Sequence, residues 1–383
     1  MDLINFFEAQ FSQRFVREFD SKYVPFEQLK KYLDLHFPDK KRIGQSHLSK
    51  DIYALKMGNG PIKILAWSQM HGNESTGTRA MLDVIELLKL EECQFILNEI
   101  SLYFVPMLNP DGATSYTRRN ACQIDINRDF HQEASLEVCV LKKFVAQIQP
   151  DYLFNLHDQR SIFNVGETPK AATLAFLAPS FDPQKTMNEV RVKAMSVIDH
   201  MAKGLRQVIP GHIARFSDEF YPNSTGDNFM KMGWPTLLFE SGHFPEDEGR
   251  DKVRKYTALA ILLALEDISS RRMPEVGGYF EIPENKQRFL DVVLRNVQFH
   301  FNKHTVITDL GCQYEERLNK ESQVLERVLK VEEIGDLSAY FGHLDWDVEG
   351  ELYAGKVEGF PMIGELAHFS VGEIRFENGI YLG

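Results

Sequence analysis

The chain has 383 residues, of which 43% are hydrophobic and 26% are charged, and this composition excludes an intrinsically disordered protein. Its 43 basic and 55 acidic side chains give a net charge of −12, which argues against binding to a nucleic-acid backbone, because that binding needs clustered cations. No run reaches the roughly 18 apolar residues of a membrane span, and the first residues lack the cationic region and long apolar core of a secretory signal. The four cysteines form no CxxC pair and are typical of free thiols in a reducing compartment. We therefore expect a cytoplasmic protein of two or three domains that binds neither nucleic acid nor membrane.

The first 36 residues are predicted to be helical, because Phe7, Phe11 and Phe15 recur at helical spacing. From residue 43 to about residue 270, short apolar runs alternate with amphipathic segments, which is typical of an α/β layer fold. The predicted strands are residues 51–57, 62–68, 102–105, 152–157, 173–177, 212–217 and 236–240, and the predicted helices are residues 76–90, 135–148, 184–205 and 249–268.

After residue 274 apolar and polar residues alternate with a period of two, which indicates half-buried strands. The segment around Phe299 follows this pattern, and residues 352–357 and 369–376 are similar. We predict two domains: an α/β domain at residues 1–274, which includes the helical segment 1–36, and a smaller β-rich domain at residues 275–383.

Three residues with metal-binding side chains stand at the ends of predicted strands. His71 and Glu74 lie in the turn after the strand 62–68, and their spacing lets an imidazole and a carboxylate converge on one ion. His157 ends the strand 152–157 and would complete a set of two His and one Glu, a combination that catalytic zinc sites use. A His-x-x-Glu pair is also frequent by chance, and a buried histidine is often only structural, so both interpretations stand at this point.

Arginine and asparagine side chains follow an Asn-Pro-Asp-Gly turn at residues 109–112. Three arginines, among them Arg118 and Arg128, lie within eleven residues. Guanidinium groups bind carboxylates in a bidentate geometry, so this segment is either a substrate site or a loop of surface ion pairs. Glu240 ends the strand 236–240, where a carboxylate is costly unless it is paired or faces a cleft. A general base that acts on metal-bound water would need that position.

In order and content these segments resemble the zinc carboxypeptidase superfamily, the M14 metallocarboxypeptidases, over roughly residues 43–270. The shared features are HxxE at residues 71–74, NPDG, Arg-x-Asn, Asp-x-Asn-Arg, a strand-end His and a strand-end Glu. The resemblance implies a mixed central β-sheet flanked by helices. It also implies one Zn²⁺ ion held by His71, Glu74 and His157.

The resemblance further implies a role for each remaining site residue. Glu240 matches the general base that acts on zinc-bound water. Tyr221 is a candidate for the family's substrate-capping tyrosine, although a structural loop residue is the alternative. The other matching residues are Asp125 behind a zinc-bound imidazole, Arg118 at the developing oxyanion, and Asn127 with Arg128 at the substrate's terminal carboxylate.

Together these features predict a zinc-dependent hydrolase that cleaves an amide or peptide bond next to a free carboxylate, with a peptide or an N-acyl amino acid as substrate. Residues 71–74 read His-Gly-Asn-Glu, in which Asn73 replaces the arginine of the family's digestive members. That form and the β-rich C-terminal domain favour the alternative, a deacylase of the succinylglutamate desuccinylase and aspartoacylase type. The NPDG segment and Arg118-Arg119-Asn120 favour a peptidase. A non-catalytic binding module would be expected to lack a ligand or the base, and this chain keeps all four residues. The sequence does not determine the oligomeric state.

Overall fold

The computed structural model describes residues 2–355 and 359–383, and the chain separates into two units. Unit 1 runs up to Arg160 and resumes over Ala172–Asn285, and unit 2 consists of Ser161–Ala171 and Lys286–Gly383. A short insertion from the first part of the sequence therefore belongs to the second unit.

The helices are α1 (Leu3–Arg14), α2 (Phe26–His36), α3 (Thr76–Leu88), α4 (Gln94–Glu99), α5 (Pro110–Ser115), α6 (Leu136–Ile148), α7 (Glu189–Leu205), α8 (Thr225–Lys231) and α9 (Asp251–Ser269). The strands are β1 (Lys41–Gln45), β2 (Asp51–Met57), β3 (Ile62–Trp67), β4 (Ile100–Val105), β5 (Tyr152–Asp158), β6 (Phe163–Val165), β7 (Leu174–Leu177), β8 (Ile213–Arg215), β9 (Thr236–Ser241), β10 (Asn285–Gln287), β11 (Phe289–Phe301), β12 (His304–Leu318), β13 (Leu325–Gly335), β14 (Phe341–Asp347), β15 (Tyr353–Gly355), β16 (Phe369–Val371), β17 (Ile374–Glu377) and β18 (Ile380–Tyr381). Short 3₁₀ turns occupy Glu91–Cys93, Ile126–Arg128 and Gly277–Tyr279.

None of the described helices combines the length and the apolar composition that a membrane crossing requires. The four cysteines are free thiols: Cys93, Cys122, Cys139 and Cys312. A location in the cytoplasm stays a prediction from the sequence.

An eight-stranded mixed sheet, in the order β1-β2-β4-β3-β5-β9-β7-β8, forms the centre of unit 1. The four middle strands β4, β3, β5 and β9 run parallel, and β2 and β7 pair antiparallel on either side of them. The carboxyl ends of parallel strands share one edge of a sheet, and open α/β sheets bind their ligands at that edge.

Helices cover both faces of this sheet, and each face has its own apolar core. On one face α3, α7 and α9 pack with the N-terminal helices around Phe154, Phe176 and Phe239. On the other face α6 and α8 contribute side chains that pack with Trp67 of β3, among them Phe144. Because the middle strands are buried on both sides, their sequences are continuous apolar runs without alternation. The predicted α/β fold with a mixed central sheet flanked by helices is confirmed.

The N-terminal segment 1–36, predicted to be helical throughout, is helical only in α1 and α2, and the prediction is wrong for the residues between them. Arg254 of α9 donates hydrogen bonds to the carbonyl oxygens of Val16 and Phe19, both at 2.7 Å. Asp83 of α3 accepts from the Val16 amide at 2.7 Å and is joined to Arg254 by two hydrogen bonds of 2.6 Å. Tertiary hydrogen bonds therefore replace those of a helix, and no local sequence pattern records them.

Unit 2 is built mainly from β-strands, as predicted for the C-terminal part of the chain. One four-stranded sheet has the order β13-β12-β11-β14, and another has the order β15-β16-β17-β18. Their core includes Phe299, Leu310 and Phe369. The predicted strand 369–376 is the hairpin of β16 and β17. The predicted strand 352–357 corresponds in part to β15, and residues 356 and 357 lie outside the described residues.

The insertion Ser161–Ala171 joins unit 2 through backbone and side-chain hydrogen bonds. The Phe289 amide donates to the Ile162 carbonyl at 3.0 Å, and Gln313 Nε2 donates to Ser161 Oγ at 2.9 Å. These partners are far apart in the sequence, so local patterns do not reveal the insertion. The predicted domains 1–274 and 275–383 differ from the two units in two respects: unit 2 includes Ser161–Ala171, and unit 1 extends to Asn285. The two predicted domains stay a prediction.

Asp83→Ala is expected to lower the free energy of unfolding of unit 1 by about 3–5 kcal/mol, because the buried guanidinium of Arg254 loses its counter-ion. Urea-induced unfolding followed by tryptophan fluorescence measures the change. Asp34→Ala is the matched control, since Asp34 pairs with Lys30 on an exposed helix surface and its loss should leave the curve unchanged. Equal curves for the two variants would contradict the role given to the buried pair.

Candidate active site

Three buried side chains, called here the metal cluster, converge at the carboxyl ends of β3 and β5: His71, Glu74 and His157. His71 and Glu74 lie in the turn between β3 and α3, and His157 lies in β5. Glu74 Oε1 is 2.8 Å from His71 Nδ1, Glu74 Oε2 is 2.8 Å from His157 Nδ1, and the two Nδ1 atoms are 3.1 Å apart. The fold therefore brings together the three residues predicted as metal ligands.

The donor atoms of the metal cluster fit a zinc ion. Two imidazoles and one carboxylate are a donor set of catalytic zinc sites, and bonds of about 2.0–2.1 Å in a tetrahedron separate the donor atoms by about 3.3 Å. The observed separations of 2.8 and 3.1 Å are close to that value. The two Nδ1 atoms and the Glu74 carboxylate would hold the ion and leave a fourth position for another ligand.

The loop that carries His71 depends on close backbone packing at Gly72. A Cβ atom at position 72 would lie 2.0 Å from the carbonyl carbon of Gly112, so a larger residue would push the two segments apart. Gly112 belongs to the Asn-Pro-Asp-Gly segment, which was predicted as a turn and instead begins the short helix α5. Asn109 is the N-cap of that helix, and its Oδ1 accepts from the Gly112 amide at 2.9 Å. The segment therefore supports the metal-binding loop.

Asp125 lies behind the metal cluster and contacts both His71 and Arg118. Its Oδ1 is 3.1 Å from His71 Nε2, and its Oδ2 accepts from Arg118 Nε at 3.0 Å. A carboxylate at this ring nitrogen keeps the proton on Nε2 and leaves the Nδ1 lone pair for a metal. Burial by itself would raise the pKa of Asp125. The hydrogen bond from His71 and the charges of His71 and Arg118 outweigh burial, so the pKa lies well below its usual range.

Arg118 reaches the metal cluster with a partly exposed side chain. Its Nη1 is 3.0 Å from His71 Nδ1 and 3.3 Å from Glu74 Oε1, and 44% of the side chain is exposed. Because Asp125 holds the other side of the guanidinium, Arg118 presents a fixed positive charge beside the metal ligands.

Glu240 ends β9 beside His157. The two residues are register partners in the parallel pair of β5 and β9, so their side chains point to the same face at the same edge of the sheet. Burial raises the pKa of Glu240 well above its usual range, and the nearby carboxylates of Glu74 and Asp158 add to this effect. A cation in the metal cluster would oppose it, because an opposite charge favours the ionised carboxylate. Glu240 therefore lies where a proton acceptor beside a metal is needed.

Asn127 and Arg128 lie in a 3₁₀ turn and contact the segment around α8. The Thr225 amide donates to Asn127 Oδ1 at 3.0 Å, which leaves Nδ2 of the same amide to donate elsewhere. The exposed guanidinium of Arg128 lies 5.4 Å from the ring centroid of Tyr221, and Tyr221 is itself 45% exposed. In the described part of the chain, no hydrogen bond joins Arg128 or Tyr221 to the metal cluster. The structure thus brings these two residues together without placing them at the metal ligands.

Asp158 and Arg250 are half-buried beside the site and were not predicted from the sequence. Asp158 accepts from Thr76 Oγ1 at 2.8 Å and pairs with Arg250 Nη1 at 3.1 Å. Arg250 also donates to the carbonyl oxygens of Ser241 and Gln159, at 3.1 and 2.8 Å. Burial raises the pKa of Asp158 to about 6, although Arg250 opposes the shift. The pair connects the ends of β5 and β9 with the start of α3.

Asp158 could have been found from the sequence, because a charged residue directly after the strand-end His157 is a local signal. Arg250 had no comparable signal, because it follows an exposed acidic loop before α9 and resembles an ordinary surface residue in sequence. Only the folded chain shows that its guanidinium turns inward to the strand ends.

Residues 30–157 match the Peptidase_M14 family model, described as zinc carboxypeptidase. The matched region contains the metal cluster but ends before Tyr221 and Glu240. The "probable carboxypeptidase 2" of Trichophyton verrucosum is 27% identical over 132 residues, which are 33% of this chain and 25% of that protein. The chain therefore matches only about a quarter of the length of this curated relative.

Solved structures of carboxypeptidases share the fold. Carboxypeptidase A from Helicoverpa armigera has a TM-score of 0.54 at 14% identity, and the match covers 66% of this chain and 75% of that one. Bovine thrombin-activatable fibrinolysis inhibitor has a TM-score of 0.53 at 14% identity, covering 65% of this chain and 98% of that one. Residues 30–157 are therefore similar in sequence to the M14 zinc carboxypeptidases, and the solved structures show that the chain shares their fold. The zinc that this family implies fits the metal cluster.

Asp125→Ala is expected to lower zinc affinity about 10- to 100-fold, because His71 loses the carboxylate that fixes its tautomer and orientation. Competition with a zinc chelator measures the change. Asp39→Ala removes an exposed carboxylate outside the site and should leave zinc affinity unchanged. If both variants bind zinc like the parent chain, Asp125 does not support the metal ligand.

Proposed function

We propose that the chain is a zinc-dependent hydrolase that cleaves an amide or peptide bond next to a free carboxylate, as a metallocarboxypeptidase does. The observation that carries this proposal is the metal cluster with Glu240 as the register partner of one of its ligands. A metal site and a buried carboxylate at one strand edge are the two groups that metal-assisted hydrolysis needs.

When bound, one zinc ion would polarise the scissile carbonyl and lower the pKa of water. Glu240 would take a proton from the attacking water and return it to the leaving amine. His157 is its register partner on the neighbouring strand, and the backbones of neighbouring strands lie about 4.8 Å apart. Both side chains are therefore within reach of one reacting group. Arg118 would stabilise the negative charge that develops on the carbonyl oxygen, because its guanidinium is already held beside the metal ligands by Asp125.

The free carboxylate of the substrate would be bound by Arg128 and Asn127. Within the described residues, the Arg128 side chain donates one hydrogen bond, to the Asn127 carbonyl at 2.9 Å, so the exposed guanidinium has donors left for a carboxylate. Asn127 has Nδ2 available because its Oδ1 already accepts from Thr225. Tyr221, stacked near Arg128, would cover the bound substrate. Binding of the carboxylate would position the bond to be cut over the metal, which is catalysis by orientation.

The second candidate is a deacylase that releases an amino acid from its N-acyl derivative. It is favoured by the His-Gly-Asn-Glu form of the metal-binding loop, in which Asn73 stands between the ligands. Both candidates share the zinc chemistry and the free carboxylate, and they differ in what lies on the acyl side of the bond.

Peptides with a free C-terminus are expected to be hydrolysed by the zinc-loaded protein, and the same peptides with an amidated C-terminus are expected to be resistant. The physical reason is the loss of the carboxylate that Arg128 would bind. Release of the C-terminal amino acid, measured by mass spectrometry, gives the answer. Cleavage restricted to N-acetyl- or N-succinyl-amino acids in the same panel would reject the peptidase and support the deacylase.

Glu240→Gln is expected to retain stoichiometric zinc and to lose about 10²-fold or more in kcat, because glutamine cannot accept the proton of the attacking water. Metal analysis and steady-state kinetics measure the two properties on the same preparation. Glu91→Gln makes the same chemical change at an exposed position and should alter neither. Substantial hydrolysis by Glu240→Gln would reject Glu240 as the base.

A further inference from the structure

Asn120 belongs to the Arg-x-Asn feature of the sequence and has no part in the proposed reaction. It is 1% exposed, and its Oδ1 accepts hydrogen bonds from the amides of Cys122 and Ile124, both at 3.0 Å. Its own backbone amide donates to the Ile124 carbonyl at 3.1 Å, and its carbonyl accepts from the Gln123 amide at 2.9 Å. Four hydrogen bonds to one residue therefore close the segment 118–125, called here the arginine loop.

The Nδ2 group of Asn120 joins the arginine loop to α6. It donates to Glu137 Oε2 at 3.0 Å, in the first turn of that helix. The side-chain amide has one satisfied orientation, because its oxygen already faces two N–H donors and its nitrogen therefore faces the carboxylate. The loop is thus attached to the helix by a contact with a defined donor and a defined acceptor.

Glu137 is a fully buried carboxylate that forms no ion pair with a lysine or arginine of the described chain. Its Oε1 has no hydrogen-bond partner among the same residues. His47 Nε2 lies 3.9 Å from Glu137 Oε2, but that nitrogen accepts from the Leu136 amide at 3.2 Å and so carries no proton for the carboxylate. The amide dipoles at the start of α6 favour a negative charge, although burial of a charge is costly. The hydrogen bond from Asn120 is the contact that this costly group supplies.

The two ends of the arginine loop carry Arg118 and Asp125. Arg118 Nε donates to Asp125 Oδ2 at 3.0 Å, and Asp125 Oδ1 lies 3.1 Å from His71 Nε2. A displacement of the loop would therefore move the carboxylate behind His71 and the guanidinium beside the metal cluster together. Such groups must be held within about 0.5 Å of their productive places, so a small displacement of the loop is enough to matter.

We propose that Asn120 and Glu137 are positioning residues of the site. Their hydrogen bond fixes the arginine loop to α6 and thereby sets the places of Asp125 and Arg118. Within the described residues neither side chain bonds to the metal cluster, so both act through the two ends of the loop. The inference rests on the proposed function, because it uses the roles given there to Arg118 and to the zinc site. A purely structural pair would change stability and leave zinc affinity unchanged.

Exchange of the donor and the acceptor tests the proposal. Asn120→Asp keeps an oxygen for the two backbone amides but places a second carboxylate against Glu137, so zinc affinity is expected to fall about tenfold. Asn120→Asp combined with Glu137→Gln reverses the direction of the hydrogen bond and is expected to restore zinc affinity to within about twofold of the parent chain. Glu137→Gln alone keeps an acceptor for Asn120 and should behave like the parent. Competition with a zinc chelator measures the four proteins.

Asn164→Asp is the matched control, because it makes the same chemical change at another buried asparagine. The Asn164 side chain belongs to unit 2, and its Nδ2 donates to the carbonyl oxygens of Gly166 and Thr168 at 2.9 and 3.0 Å. A carboxylate cannot donate these bonds, so the variant should be less stable than the parent chain and should bind zinc equally well. Thermal unfolding of each zinc-free protein measures stability separately from zinc affinity.

Glu137→Leu provides a second variant in case Asn120→Asp fails to fold. It removes the acceptor for Asn120 Nδ2 without adding a charge to the interior, and the arginine loop keeps its own hydrogen bonds. Zinc affinity is again expected to fall about tenfold, because the loop loses its contact with α6. The chelator competition and the thermal unfolding measurement apply to this variant unchanged.

The outcomes separate this inference from the proposed function. If the parent chain binds zinc but hydrolyses neither peptides nor N-acyl amino acids, the proposed function fails, and the zinc affinities of the variants still decide the role of the pair. If Asn120→Asp and Glu137→Leu bind zinc like the parent chain, the pair does not position the arginine loop. A double variant that binds zinc as weakly as Asn120→Asp would overturn the inference as well.

Discussion

The register of the parallel strands β5 and β9 is the constraint on which the site depends. Backbone hydrogen bonds pair His157 with Glu240 and Asn155 with Leu238. A slip of one residue would turn every side chain of one strand to the opposite face of the sheet. The proposed metal ligand His157 and the proposed base Glu240 therefore rely on a single pairing, which the apolar cores on both faces hold in place.

Buried polar contacts fix the loops that this register leaves free. Asp158 and Arg250 connect the strand ends to α3, and Asp125 holds the ring of His71 from behind. The attraction within a buried ion pair is largely offset by the cost of removing both charges from water, so such pairs add little net stability. What they supply at this site is defined geometry, because each guanidinium or carboxylate bonds several backbone or side-chain groups at once.

The distribution of charge differs from what the net charge suggests. The chain carries −12 overall, yet the partly exposed Arg118 lies beside the metal cluster, and Arg128 presents an exposed guanidinium in the 3₁₀ turn that follows Asp125. A bound zinc ion would add to that positive charge. An acidic protein can therefore offer a local site for a substrate carboxylate, since attraction at short range depends on the nearest groups rather than on the sum.

The sequence by itself determined the α/β class, and it predicted the candidate metal ligands His71, Glu74 and His157 and the position of Glu240 at a strand end. Those features are local: His71 and Glu74 are three residues apart, and His157 and Glu240 each end an apolar run whose period reveals a strand. The tertiary structure decided the break between α1 and α2, the contacts of Arg250 and the place of the insertion Ser161–Ala171 in unit 2. Each of these depends on contacts between residues far apart in the chain, such as Arg254 with Val16, and short-range periodicity carries no record of such contacts.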